Sequence, residues 1–371
     1  MKVALIIDWL NTKRGGGEGV LLQLAELYPE ADIFTLIYNP ELYPELKGRQ
    51  VATSFLQKAP RWLKQRSRYL LPLIPTAIEQ FDLSKYDVVI SASSGWGKGV
   101  VTKPETLHVC YCFSPMRMVW DYWPRYLQEQ QVGPLRGAAI HYLTSKIRLW
   151  DYYSAARVDR WVPISETVGK RIQKFYHRQP EAVIYPGTDL QKFKPLPKAG
   201  DKKDYYLVMG TLTPYKRVEL AIQACNQLGR KLIVAGDGAD RKRLEELSGP
   251  TIEFVGRVSD TERTKLLAEA RGFIFPGLED FGLTPVEAMA SGTPVIGFGK
   301  GGVAETVVDG KTGVLFRELS AESLAQAITR FEAHSFRKSD LIDRAKQFSL
   351  ASFQQQITRN VNNWYKQHVA S

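Results

Sequence analysis

FPGLEDFGLTPVEAMASGTPVI, residues 275–296, contains a strand end, a loop and a helix start in one run. Apolar residues lead up to Pro276, a loop spans Glu279 to Leu283, and the pattern predicts a helix from Thr284 with Pro285 in its first position. The spacing Thr284-x-x-Glu287 reads as a capping box, in which Glu287 serves the helix start. The same loop reads as an anion site, because a helix N-terminus offers unsatisfied N–H groups to a phosphate while a carboxylate grips a vicinal diol. Spacing alone leaves Glu287 open between helix cap and ligand.

Outward from this stretch, apolar runs at residues 205–209, 231–235, 252–255, 273–276 and 294–298 alternate with helix-like segments. That alternation predicts a doubly wound α/β domain. Upstream, KVALIID at residues 2–8 ends at a glycine-rich loop, and a helical pattern follows over residues 18–27. Further runs at 33–38, 88–93, 108–114 and 161–165 read as buried strands of a second parallel sheet.

A Pro, Lys and Gly-rich stretch at residues 194–203 has no periodicity and reads as a linker. The expected organisation is an N-terminal Rossmann-like domain over 1–193, the linker, a C-terminal Rossmann-like domain over 204–348, and a helix over 349–371. In that helix Phe353, Ile357, Val361 and Trp364 share one apolar face. Two such domains are expected to face each other across a cleft at the carboxyl ends of their sheets, where open α/β sheets bind ligands.

Composition agrees with a two-domain globular protein: 371 residues, 44% hydrophobic and 24% charged. A net charge of +11 favours a polyanionic partner: nucleic acid, an acidic membrane or a phosphorylated substrate. No run approaches the roughly 18 apolar residues that span a bilayer, and the first residues lack a signal-peptide cleavage pattern. A cytoplasmic location is therefore expected. Cys110, Cys112 and Cys225 are too few for a disulfide framework and read as small core residues. No metal site is expected, since no second Cys or His pair stands at ligand spacing.

GTLTPYKR, residues 210–217, leaves a strand and opens a helix, bringing the adjacent cations Lys216 and Arg217 to the expected cleft. Neighbouring helical residues diverge by about 100°, so both need not reach one ligand. Cations there would stabilise a departing diphosphate without a metal. GFGKGGVAE, residues 297–305, is a further glycine-rich loop that serves either a ligand or a plain turn. The glycines at 15–17 and 19 form no dinucleotide fingerprint, which excludes a nicotinamide dehydrogenase.

Taken together, LEDFGLTPVEAMASGTPVI with its Glu279-x7-Glu287 pair, GTLTPYKR, VGRVSD and VIYPGTDLQKF closely resemble family 4 of the retaining glycosyltransferases. The resemblance implies the GT-B fold, with the last helix crossing back to the N-terminal domain. It also implies a nucleotide-diphosphate sugar as substrate and no cofactor. By that resemblance Glu287 would bind ribose hydroxyls and Glu279 the transferred sugar, with Phe281, Gly282 and Leu283 at the sugar and diphosphate. Lys216 would meet the diphosphate beside Gly210, the stretch from Gly256 through Arg257 to Val258 would border the base, and Gly16 and Gly17 would close the donor site.

HVCYCFSPMRMVWDYW, residues 108–123, resembles the subgroup of bacterial O-antigen and exopolysaccharide mannosyltransferases, which makes GDP-mannose the first expected donor. Two positions depart from the pattern. Thr211 stands where members usually carry arginine, with Arg217 as the substitute charge. Phe113 stands where a histidine is common; His108 is the substitute, and Arg117 and Asp121 are the other acceptor-side candidates.

Residues 55–75, from Phe55 to Pro75, carry Lys58, Arg61, Lys64, Arg66 and Arg68 without an acid, interleaved with Trp62, Leu63, Tyr69 and Leu70. They read as a solvated basic helix or as a seat on an anionic membrane. The expected activity is metal-independent transfer of a hexose, with retention, to a lipid-linked or saccharide acceptor in cell-surface polysaccharide biosynthesis. The alternative is a catalytically weak nucleotide-sugar-binding partner subunit or sensor. Nucleic-acid binding is not expected, and an epimerase would need acid/base residues the N-terminal half lacks.

Overall fold

In the computed structural model, which describes residues 1–12, 15–64, 69–121, 133–194 and 202–370, two parallel sheets organise the chain. The first contains β1 (Val3–Ile7), β2 (Asp32–Thr35), β3 (Val51–Thr53), β4 (Val88–Ser93), β5 (Leu107–Cys112) and β6 (Arg160–Pro163) in the order β3-β2-β1-β4-β5-β6. The second contains β7 (Tyr206–Met209), β8 (Leu232–Ala235), β9 (Ile252–Gly256), β10 (Gly272–Phe275), β11 (Val295–Phe298) and β12 (Gly313–Phe316) in the order β12-β11-β10-β7-β8-β9. Counted from its own first strand, each sheet has the order 3-2-1-4-5-6.

The central strands form because their side chains are buried on both faces, as helix-covered parallel sheets require. VALII of β1, VVISAS of β4 and LHVCYC of β5 are buried at every position. Polar members are matched in place: Ser91 Oγ and His108 Nε2 share a 2.9 Å hydrogen bond across β4 and β5. In the second sheet Tyr206, Val208, Ile274, Ile296 and Phe316 pack with Leu220, Leu324 and Ile328 of the covering helices. Both unforeseen strands, β3 and β12, lie at sheet edges and are short.

The chain forms two compact units, Met1–Tyr185 with Gln354–Ser371, and Pro186–Phe353. The sequence drew its boundaries at 193 and 348. Residues just beyond Pro186 go with the second unit because Thr188 bonds the 348–350 backbone, accepting from Leu350 N at 3.0 Å and donating to Phe348 O at 2.9 Å. The helix Leu350–Ala370 buries Phe353, Ile357, Val361 and Trp364. Burial of one such side chain contributes about 1.5–3 kcal/mol. Most of the linker, residues 195–201, lies outside the described residues, as do Arg66 and Arg68. Among the described residues no helix is long and apolar enough to cross a membrane.

Candidate active site

In a sheet of order 3-2-1-4-5-6 the connections leave strands 1 and 4 in opposite directions, which opens a crevice at their carboxyl ends. In the second unit those strands are β7 and β10. A small open pocket occupies the spot, lined by Gly210, Thr211 and Lys216 after β7 and by Pro276, Gly277 and Glu279 after β10. Lys216 Nζ stands 2.5 Å from Glu279 Oε1 across it. Burial pulls the Lys216 ammonium toward neutrality, but Glu279 and Tyr215 more than offset this, so its pKa lies above the ordinary 10.5.

Arg217 does not join Lys216. Its backbone is left-handed (φ 56°), where it caps the helix Val218–Leu228, and its Nε lies 2.6 Å from Glu219 Oε1. The substitute charge expected from Arg217 is thus turned to its own helix, and Arg217 is absent from the pocket lining.

The capping alternative for Glu287 gives way to another arrangement. The helix Leu283–Ala290 has its first position two residues earlier than predicted, capped by Gly282 at φ 85° with no side-chain cap bond. Thr284 therefore lies inside the helix and the Thr284-x-x-Glu287 box does not form. A capping box is built instead at Ser259-x-x-Glu262, where Glu262 Oε2 accepts from Ser259 N at 2.9 Å. The Glu287 side chain turns to Arg263, which donates to its Oε2. Glu287 is 7% exposed; burial raises its pKa above the usual carboxylate range and Arg263 opposes the rise. Among the described residues the side-chain contact of Glu287 is the one from Arg263 to Oε2.

The loop from Glu279 to Leu283 is backed by the glycine-rich turn at 297–305. Gly302 N donates to Glu279 O at 2.9 Å, and a Cβ on Gly302 would stand 2.2 Å from Phe281 Cα. These glycines bring backbone to backbone. The Phe281 ring is buried 5.7 Å from that of Phe348, so only the Phe281 main chain remains for a ligand. After β9, Arg257 is exposed with its Nε 3.9 Å from Asp237 Oδ2, and Val258 is half-buried; neither lines the pocket.

In the first unit the corresponding strands are β1 and β4, and a carboxylate ties the chain after one to the chain after the other. Buried Asp8, just past β1, accepts from Ser93 Oγ at 2.8 Å, Ser94 N at 3.0 Å and Gly97 N at 2.6 Å. Burial raises its pKa against the pull of those donors. Gly16 and Gly17 open the helix Gly16–Leu27, and a Cβ on Gly17 would lie 3.0 Å from the Phe113 ring, which sits beneath the turn.

His108 lies inside β5, fully buried, and burial lowers its pKa to about 3, so it is neutral and shielded from any acceptor. Arg117 Nε lies 3.7 Å from Asp121 Oδ1, and Arg171 Nε, which the sequence did not single out, lies 3.4 Å from Asp121 Oδ2. Tyr122 and Trp123 fall outside the described residues. Arg263 was also missed; its one sequence signal was the Ser259-x-x-Glu262 spacing, which fixes where its helix begins.

The family model Glycosyl transferases group 1 matches residues 190–348. The chain is 25% identical over 262 residues to uncharacterized glycosyltransferase MJ1178 of Methanocaldococcus jannaschii, covering 68% of this chain and 73% of that one. It is 31% identical over 177 residues to the GDP-mannose-dependent alpha-mannosyltransferase of Mycolicibacterium smegmatis, covering 45% and 46%. Matches to other curated relatives span from 32% to 54% of those proteins' lengths. Among solved structures, Anabaena Alr3699/HepE in complex with UDP superposes with a TM-score of 0.71 at 19% identity, over 98% of this chain and 100% of that one. Residues 190–348 therefore form a glycosyl transferases group 1 domain, carried on a chain of GT-B fold.

Proposed function

We propose that this chain is a retaining, metal-independent glycosyltransferase of family 4 that moves a hexose from a nucleotide-diphosphate sugar to a lipid-linked or saccharide acceptor in cell-surface polysaccharide biosynthesis. The observation that carries the reading is the Lys216–Glu279 pair at the mouth of the β7/β10 crevice. Lys216 stabilises the charge that develops on the leaving diphosphate, Glu279 holds hydroxyls of the transferred sugar, and the N-terminus of the helix Leu283–Ala290 faces the phosphates. The acceptor hydroxyl attacks the anomeric carbon on the face from which the diphosphate departs. Its oxygen bonds to that carbon as the carbon–phosphate-oxygen bond breaks, and its proton passes to the departing phosphate oxygen. Catalysis then rests on positioning and charge, with no separate protein base.

GDP-mannose is the first donor to try, on the strength of the mannosyltransferase relative. UDP-glucose is its rival, because HepE is also described in complex with that donor. A thermal-shift screen of nucleotide sugars tests the reading: a true donor stabilises the fold by mass action, and a flat response to every nucleotide sugar sinks it. Activity should persist in excess EDTA; complete loss restored by Mg²⁺ refutes metal independence. The second reading, a nucleotide-sugar-binding subunit of weak turnover, is favoured by the engagement of Arg217 with Glu219, and donor hydrolysis or transfer at ordinary rates removes it.

An anionic membrane surface is the proposed seat at the inner face of the plasma membrane. Supporting it, Trp62 is 60% exposed in the acid-free stretch 55–75, and the helix Pro134–Ala155 exposes Tyr142 (65%), Leu149 (53%) and Tyr153 (67%) at seven- and four-residue steps along one face. Sedimentation with phosphatidylglycerol vesicles but not with phosphatidylcholine vesicles is the expected outcome.

A further inference from the structure

We infer that Arg263 is a positioning residue for the nucleotide: its guanidinium fixes Glu287 Oε2 and leaves Oε1 turned to the hydroxyl groups of the ligand. This rests on the reading above, in which Glu287 takes the ribose hydroxyls. Arg263 comes from the helix Asp260–Glu269, and its Cζ lies 5.6 Å from the centre of the Phe193 ring, so an aromatic face and a carboxylate confine it together. A carboxylate offers about four acceptor positions, and the arginine occupies only one oxygen.

The chemistry explains why such a partner is needed. Glu287 is almost wholly buried, which favours its protonated form, and a protonated carboxyl is a weaker, half-donating partner for a diol. Arg263 opposes that shift, while Asp260 of the same helix adds to it. On the other elements packed on the helix Leu283–Ala290, most ionisable groups are engaged elsewhere. β10 and β11 have no ionisable side chain. On the helix Lys338–Lys346, Asp340 pairs with Arg337, Lys346 pairs with Asp343, and Arg344 donates to the carbonyls of Glu305 and Thr306. Lys338 there and Glu305 of the short helix Val303–Thr306 complete the set.

The test uses the full chain with GDP and UDP as calorimetric probes at pH 6 and pH 8.5, followed by donor kinetics with whichever nucleotide binds. Arg263→Met should weaken binding by about tenfold or more at pH 6 and recover much of it at pH 8.5, because without the cation burial pushes the Glu287 carboxyl further toward its protonated form. Arg263→Lys should restore most of the loss, and the donor KM should move while kcat stays within about twofold. In the Arg263→Met/Glu287→Gln double variant, which buries no unpaired charge, the two losses should not add. Equal affinity for Arg263→Met and the parent, a loss that is the same at both pH values, or additive losses overturns the inference. If Glu287→Gln leaves nucleotide affinity unchanged, the ribose role of Glu287 falls, and this inference falls with it. If Glu287→Gln weakens binding while Arg263→Met does not, only the role of Arg263 falls.

Discussion

The two units repeat one strand order and treat its crevice in opposite ways. Between β1 and β4 the chain sets a buried carboxylate, Asp8, among three neutral donors of its own backbone and side chains. Between β7 and β10 it sets Glu279 against a single cation and leaves a small open pocket. Topology marks where a ligand could bind; the residues after strands 1 and 4 settle whether the spot is sealed or offered. A carboxylate whose acceptor positions are filled by fixed donors is part of the scaffold. One held by a single lysine ammonium can exchange that partner for a ligand.

Substitution at Lys216 gives the largest effect. Lys216→Ala should lower kcat by about 10²–10³, the range seen when one group that stabilises transition-state charge is removed. The melting temperature should hold, because Glu279 is partly exposed and can hydrate once alone. A variant that melts much lower yet turns over normally would make the pair a structural strut, like Asp8. Next in size, Asp8→Ala strands three donors and should destabilise the first unit by about 3 kcal/mol, read as faster amide exchange in β1 and β4 with nucleotide affinity intact. Retained protection with lost nucleotide binding would erase the contrast between the two crevices.

Acid provides a smaller test. His108 titrates at about 3 in the folded first unit against an ordinary 6.5, so as pH falls below 6.5 the unfolded chain gains a proton that the folded chain refuses. Stability is lost over that window, by about 2 kcal/mol between pH 7 and pH 5. His108→Gln, which keeps a partner for Ser91, should flatten this slope. The second unit holds one histidine, His334, which is exposed, so the first unit should loosen first on acidification. Simultaneous melting of both, with an unchanged slope in the variant, would show that other groups govern the acid limb.

The central strands were legible because burial on both faces writes continuous apolar runs such as VALII and LIVA. β3 (VAT) was not, since three half-buried residues carry no pattern. Lys216, Glu279 and Glu287 were singled out because loop, proline and carboxylate spacing are local. The error at Thr284 was also local: Pro285 was assigned to the first helical position, whereas the left-handed Gly282 lets the helix begin before it. Arg263, Arg171 and the donors to Asp8 stayed hidden because each meets its partner across 24, 50 and more than 80 residues of chain, and only the sheet order brings them together.

The last helix sets the timetable of synthesis. Residues Gln354–Ser371 belong to the first unit, with Ile357, Val361 and Trp364 buried and His368 Nε2 3.1 Å from Pro104 O. On the ribosome the second unit can close as soon as its own residues emerge. The first, though made earlier, waits for Gln354–Ser371. At about 5–20 residues per second, Met1–Tyr185 stands unfinished for roughly ten to thirty seconds while Pro186–Phe353 is translated. During that interval its apolar face is open to chaperones, which makes the newborn N-terminal half the segment a cell must guard.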